Sequence, residues 1–369
     1  MKKCESLEII CSWHSQYGNT FRTSLGRTVV ITIEPKNVQA VLALKFQDFD
    51  LGYRNNAFSP LLRQGFFLQV ADVGVYKRHV SNLIASIPQN GTTVDLQELF
   101  FQMTMDSATE FLFRESINSL RASNEQPSFA KDLNTSQNGL TIRNGVFSKA
   151  TLEIRRFVDR FAQKALEYRD AHVDDKHTTT APEQRYVFLY ELSKQTADKT
   201  LRKEVLEVEN ERPSFEELKS MTYLTWVLNE TLRLYPAVPV NIRTANKDAY
   251  LPVGGGPDGK DPIFVPKGQD VMYSVYSMHR LPAVSGPDAT EYRLERWASL
   301  KPGWTYIPFN GGPRICTSQQ FALIEASYTI LRLIQRFKSI ESQDAQPFKE
   351  ALTLTLASEI GTKVSLTLP

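Results

Sequence analysis

No stretch of about eighteen consecutive apolar residues occurs in this 369-residue chain, so the sequence offers no helix able to cross a bilayer. Cysteine is scarce: only Cys4, Cys11 and Cys316 occur, an odd, low count that argues for a reducing compartment and against a disulfide framework. The five histidines do not sit at metal-ligand spacing with a cysteine partner. An excess of charge is missing too. With 43 basic and 41 acidic residues the net charge is +2, which gives no electrostatic case for nucleic acid. The apolar stretch near Leu7–Cys11 is too short for an anchor and has no processing site, so the chain is expected to be soluble or at most peripheral. What is present is an ordinary globular composition, 41% apolar and 23% charged, long enough for one large core or two smaller ones.

Periodicity supplies the element pattern. The β-branched run Arg27–Glu34 reads as a strand, and Pro35 opens a helix behind it. Val94–Phe113 reads as a core helix, Ile154–Tyr168 as an amphipathic helix, and 121–140 and 172–183 as polar loops. Ser214 and Glu217 form a capping box for a helix that runs to Leu234 and stops at Pro236. That helix contains Asn229, the start of one of three Asn-x-Ser/Thr sequons. Val271–Met278 reads as a strand and Phe321–Phe337 as a helix, while Leu352–Leu356 and Val364–Leu368 alternate like a closing hairpin. Gly254–Gly259 lacks the strand–loop–helix frame of a phosphate cradle and reads as a surface loop. The whole is mainly α with small β-sheets.

Two segments carry chemistry. In Phe309–Cys316, FNGGPRIC, Gly311 and Gly312 permit a tight turn, and a helix follows Cys316. An N-terminal helix end favours a thiolate, although a lone cysteine is more often a buried, inert residue. Glu230-Thr-Leu-Arg233 places a carboxylate and a guanidinium on one helix face, where a solvated surface pair is the simplest reading.

Phe309-x-x-Gly312-x-Arg314-x-Cys316 resembles the haem-binding signature of the cytochrome P450 family, and Glu230-x-x-Arg233 resembles that family's Glu-x-x-Arg helix. Arg296, in YRLERW, matches the third member of the family's buried triad. FQDFDLG, DLQELFF, DSATEFLF, GGGPDG, VYSMHR and QQFALIEASY resemble the fungal members that hydroxylate n-alkanes and fatty acids, and these pieces are spread over most of the chain. The resemblance implies a single P450-like domain with a β-rich part at about 14–60, a helical part at about 70–235, and the ligand loop and closing strands at about 236–369. It implies haem b held by Cys316 as axial ligand, with Phe309, Gly312, Arg314, Arg243 and His279 around it. For His279 alone, a satisfied structural histidine is an equal reading. Glu230, Arg233 and Arg296 would lock the scaffold, and Ala237, Val238, Val240 and Ser358 would touch substrate. The implied activity is insertion of one oxygen atom from O2 into a C–H bond of a long-chain alkane or fatty acid. NADPH–cytochrome P450 reductase would supply electrons to a monomer. The family sits on the endoplasmic reticulum membrane.

Three family features are missing from the sequence. No acid–alcohol motif of the Ala-Gly-x-Asp/Glu-Thr kind occurs, and none of the four tryptophans has arginine four residues on. Ser318 stands where the family usually has glycine. The resemblance jumps after residues 67 and 197. The fold is therefore expected to be incomplete, without the central oxygen-activating helix and a propionate-binding helix, and no catalytic residue is assigned. A catalytically inactive remnant, or a truncated gene model, is the alternative function.

Overall fold

The β-branched run near the N-terminus forms a strand at Thr28–Thr32, and Pro35 sits in the first turn of the helix behind it, where its fixed φ suits the helix and its missing N–H costs nothing. A computed structural model describes residues 6–24, 27–52, 73–113, 116–121, 199–208, 213–345, 348–352 and 355–369. Along them run α1 (Ser6–Tyr17), β1 (Thr20–Ser24), β2 (Thr28–Thr32), α2 (Pro35–Gln39), β3 (Phe49–Asp50), α3 (Val73–Ser86), β4 (Val94–Asp95), α4 (Leu96–Phe113), α5 (Lys199–Leu206), α6 (Phe215–Ser220) and α7 (Thr222–Leu234). There follow β5 (Val240–Ala245), β6 (Ala249–Gly255), β7 (Asp261–Val265), β8 (Asp270–Ser274), α8 (Val275–Met278), α9 (Pro282–Ser285), α10 (Gln319–Arg336), β9 (Ser339–Ser342), β10 (Glu350–Leu352), β11 (Leu356–Ser358) and β12 (Lys363–Thr367). The helix expected at 154–168, the loop at 172–183 and both jumps in the family resemblance lie outside the described residues.

The chain divides into two compact units. The first comprises Met1–Asn56, Asn229–Cys316 and Glu350–Leu356. Its five-stranded sheet has the order β1-β2-β8-β5-β3, with β2 and β8 parallel and the other pairs antiparallel. Because side chains alternate along a strand, the sheet buries two faces. On one, Val29, Ile31 and Met272 pack with Trp13, Phe21, Val240 and Ile242. On the other, Val30, Val271 and Ala245 pack with Val41 and Phe49, and with Leu251 and Ile263 of the β6–β7 hairpin. Tyr273, also on this second face, joins Ile33, Val38, Leu42 and Ile307.

Asn37 fastens this unit. Fully buried, it donates from Nδ2 to Thr20 Oγ1 at 3.1 Å, Thr32 Oγ1 at 3.2 Å and the Val253 carbonyl at 2.9 Å, and accepts from the Val253 amide at 3.1 Å. One side chain thus ties together β1, β2 and β6.

The second unit comprises Ala57–Leu228, Thr317–Lys349 and Ala357–Pro369. Glu325 of α10, buried, accepts from Thr104 Oγ1 at 3.2 Å and from the Ser107 hydroxyl, both on α4. A remote carboxylate caps α7: Glu204 of α5 accepts from the amides of Tyr223 at 3.0 Å and Leu224 at 2.9 Å, satisfying first-turn donors that have no partner inside the helix.

Several expectations need correction. The capping box is present, but the helix it opens ends at Ser220. Met221, extended at ψ 97°, separates it from α7, so Ser214–Leu234 is two helices. The run Val271–Met278 is a strand only as far as Ser274. There the serine hydroxyl accepts from the Ser277 amide and starts the short helix α8. Among the described residues the closing strand β12 pairs with β9 and β4, and not with the run at 352–356.

Asn37→Ala should destabilise the protein by about 1–3 kcal/mol, because it leaves buried partners unsatisfied. Urea unfolding measures this, and an unchanged midpoint would remove Asn37 from the role of fastener.

Candidate functional site

The C-terminal turn of α7 presents Glu230 and Arg233 three residues apart on one face. The pair is buried: Glu230 is 0% exposed, Arg233 1% and Arg296 4%. Arg233 binds Glu230 in bidentate fashion, Nε to Oε2 at 2.9 Å and Nη2 to Oε1 at 2.8 Å. Arg296 Nε donates to the same Oε1 at 2.9 Å, as does the Arg293 amide at 2.9 Å. Trp297 Nε1 donates to Oε2 at 3.0 Å.

The remaining guanidinium donors capture main-chain carbonyls. Arg233 reaches those of His279 at 3.0 Å, Ala289 at 2.5 Å and Glu291 at 2.9 Å. Arg296 reaches the carbonyls of Ser285, Asp288 and Glu291, and Asp288 Oδ1 at 3.2 Å. Buried charge is tolerated when it is paired and its hydrogen-bonding capacity is filled, and both conditions hold here.

His279 is fully buried and both ring nitrogens are engaged. The Ile307 amide donates to Nε2 at 3.0 Å, which fixes the proton on Nδ1, and Nδ1–H donates to the Arg233 carbonyl at 3.1 Å. Burial pushes its pKa down to about 3. In this arrangement both ring nitrogens are bonded to main-chain groups, as the reading of His279 as a satisfied structural histidine requires. The Tyr306 ring lies tilted 5.1 Å from the His279 ring and meets the Trp297 ring edge-to-face at 4.8 Å, and its hydroxyl donates to the Asn229 carbonyl at 3.2 Å.

The cysteine turn is built in the same unit. The Cys316 amide donates to the Phe309 carbonyl at 2.8 Å and closes the loop, and the Phe309 side chain is buried. Asn310 and Gly312 hold φ of 62° and 60°, in the left-handed region. Asn310 adopts it with its Oδ1 accepting from the Tyr273 hydroxyl at 3.0 Å. At Gly312 a Cβ would lie 2.7 Å from Ala43 Cβ and 3.0 Å from the Leu42 carbonyl oxygen, so only glycine lets the turn lie against 40–44. Arg314 stacks over Phe46 at 5.8 Å and makes long contacts to the carbonyls of Phe46 at 3.4 Å and Phe49 at 3.3 Å. Cys316 is half-buried and in no disulfide, with α10 starting three residues on.

Arg243 completes the set. It lies on β5, where Asn241 pairs with Tyr273 and Arg243 with Val271. Paired residues share a face, and so do residues two apart, so Arg243 lies on the same sheet face as Tyr273, which grips the cysteine turn. Arg243 is 6% exposed, its Nη1 donates to the Ile242 carbonyl at 2.8 Å, and its buried Nε has no partner among the described residues. Among the described residues neither Arg243 nor Arg314 pairs with a carboxylate.

Four residues are expected to touch substrate: Ala237, Val238, Val240 and Ser358. Ala237, buried, accepts from the Leu356 amide at 2.9 Å, and Val238 is half-buried beside it. Val240 packs with Val29, Ile31 and Met272, on the sheet face opposite Arg243. Ser358 belongs to the second unit, where its main chain bonds Gln97 in both directions at 3.0 and 3.1 Å. Sequence reading did not single out Tyr273, Trp297 or Tyr306. A tryptophan directly after Arg296 carried a signal, since a buried indole N–H needs an acceptor.

Glu230→Gln should cost about 3–5 kcal/mol, because it leaves the buried Arg233 guanidinium without its counter-ion and Arg296 with Asp288 alone. Guanidinium chloride unfolding is the check. Acid should also weaken the fold. His279 binds a proton readily only when unfolded, near the ordinary value of about 6.5. Stability is therefore full above that pH and falls steadily as pH drops toward about 3. Unfolding midpoints measured between neutral and mildly acid pH should decline, and less steeply in His279→Gln.

The model for the family described as Cytochrome P450 matches residues 176–364, just over half of the chain. Cytochrome P450 52A13 of Debaryomyces hansenii is 39% identical, covering 93% of this chain and 82% of its own length. Cytochrome P450 52A3-A of Candida maltosa is 40% identical, covering 91% and 81%. Cytochrome P450 monooxygenase fsdH of Fusarium heterosporum is 37% identical, covering 93% and 74%. The first alignment runs 431 residues, longer than the 369-residue chain, so that relative carries residues within the matched span that this chain lacks. Nothing in these comparisons favours an inactive remnant. The chain belongs to the cytochrome P450 family and is, by that membership, a haem-dependent monooxygenase.

Proposed function

We propose that this chain binds haem b through the Cys316 thiolate and hydroxylates a long-chain alkane or fatty acid. One oxygen atom of O2 enters a C–H bond and the other leaves as water. NADPH supplies the electron pair through a separate reductase.

The observation that carries the reading is Arg243. A buried guanidinium without a counter-ion is costly, by several kcal/mol for an isolated ion. Its Nε has no partner among the described residues, and its sheet face is the one that grips the cysteine turn. An anionic group beside that turn would satisfy it, and a haem propionate has the required charge. Arg314, within that turn, is a second guanidinium without a carboxylate partner among the described residues. The residues therefore fit the group: Cys316 would ligate the iron, Arg243 and Arg314 would hold propionates, and Phe309 and Gly312 would shape the turn. When bound, haem supplies the iron centre at which dioxygen is activated.

The chain's own residues do the rest. Cys316 reaches its position through a turn fixed at Asn310 and Gly312, so the sulfur needs little reorganisation before ligation. Ala237 and Val238, on the segment entering β5, are assigned to substrate contact, which follows the fungal alkane- and fatty-acid-hydroxylating members that the sequence resembles. Among the described residues no helix is long and apolar enough to cross a membrane.

The test is the absorption spectrum of the reduced, carbon-monoxide-bound protein. A thiolate-ligated haem gives a red-shifted Soret band, which Cys316→Ala should abolish. Arg243→Ala should keep the band but weaken haem retention during gel filtration by about tenfold or more, the order of one charge-assisted hydrogen bond. Purified protein that takes up no haem would overturn the reading.

A further inference from the structure

We propose that His279 is a positioning residue that couples the Glu230–Arg233–Arg296 triad to the cysteine turn and so sets the geometry of Cys316. The inference deepens the haem-thiolate reading and rests on it for its spectroscopic arm.

The connection can be followed atom by atom. Arg233 is fixed by Glu230, and its carbonyl at the end of α7 accepts from His279 Nδ1–H at 3.1 Å. The Arg233 guanidinium returns to the His279 carbonyl through Nη1 at 3.0 Å, and the Ser285 hydroxyl reaches the same carbonyl at 2.8 Å. His279 is therefore held on the triad side at both main chain and ring. On the other side, Nε2 accepts from the Ile307 amide at 3.0 Å. Ile307 is the root of the turn: its carbonyl accepts from the Asn310 amide at 3.0 Å, and the Phe309 carbonyl, two residues on, accepts from the Cys316 amide at 2.8 Å.

No other side-chain type bridges two backbone groups in this way with a rigid ring. The donor must be Nδ1 and the acceptor Nε2, and only the neutral imidazole in one tautomer satisfies both. Burial keeps the ring neutral at any ordinary pH, with its pKa at about 3. Tyr306, packed at a tilt against the ring and bonded to the Asn229 carbonyl on α7, supports the imidazole from one side.

The experiment compares three substitutions. His279→Asn keeps a donor near the Nδ1 position and loses the acceptor for Ile307. His279→Gln places an amide near Nε2 and loses the bond to Arg233. Glu350→Ala is the control: it removes the carboxylate that caps α1 at the Leu7 amide (3.1 Å) and touches neither triad nor turn. Hydrogen exchange on the protein as purified reads the coupling without any need for haem. His279→Asn should lose protection at least tenfold over 305–316 while the β8 amides stay protected, and Glu350→Ala should leave 305–316 unchanged. In haem-loaded protein, His279→Asn should convert part of the red-shifted carbon-monoxide band to the shorter-wavelength band of thiol-ligated haem, and the control should not.

Unchanged protection over 305–316 in His279→Asn, or an equal loss across the whole unit, would overturn the proposal. A wild-type protein without the red-shifted band would sink the haem-thiolate reading instead, and the exchange data would still judge the coupling.

Discussion

The first unit depends on one carboxylate. Glu230 collects donors from two guanidinium groups, an indole and a main-chain amide in a site without water access. The arrangement does more than neutralise charge. The outer donors of Arg233 and Arg296 are spent on the carbonyls of His279, Ser285, Asp288, Ala289 and Glu291. These lie in a stretch with little regular structure, where carbonyls have no ladder to join. Two arginines fixed by a common anion serve as the ladder, so the path of the chain from 279 to 297 is set by side chains. The same chemistry explains why both arginines are needed: lysine offers three donors from a point, whereas these sites use a planar fork.

The cysteine turn is held from several directions. Tyr273 reaches it from the central strand β8, the segment 40–49 lies against Gly312 and Arg314, and His279 holds its root at Ile307. Two residues in the left-handed region would be unstable in an isolated peptide, and they persist because the surroundings over-determine them. On the proposed reading, a sulfur presented on such a turn is preorganised for ligation, and Arg243, whose Nε has no partner among the described residues, would accept negative charge on the sheet face shared with Tyr273. Stability and function draw here on the same atoms, because the triad that organises the stretch after α8 also orders the support of the turn.

Much of this was legible in the sequence, and what was not has identifiable causes. Glu230-x-x-Arg233 and the Phe309–Cys316 motif are local patterns whose spacing encodes their geometry. Ser214 and Glu217 form the capping box that their spacing predicts, because both partners lie within one turn. The break at Met221 was hidden, since its apolar side chain continues the helical period, while the next helix takes its cap from Glu204 on a different element. Residues 271–278 read as one strand because Val and Tyr favour extended chain, yet the Ser274 hydroxyl turns the backbone into helix. The partner of β12 was misassigned because alternation predicts a strand but does not name its neighbour. The partners of His279 were not legible for a related reason: which groups its nitrogens meet is decided at Arg233 and Ile307, 46 and 28 residues away.

On the proposed reading, the sulfur of Cys316 ligates iron. X-ray absorption at the iron edge of haem-loaded protein addresses it without relying on activity. The expected spectrum shows a single sulfur neighbour at bonding distance from the iron, absent in Cys316→Ser. An iron surrounded only by nitrogen and oxygen in the unaltered protein would contradict it.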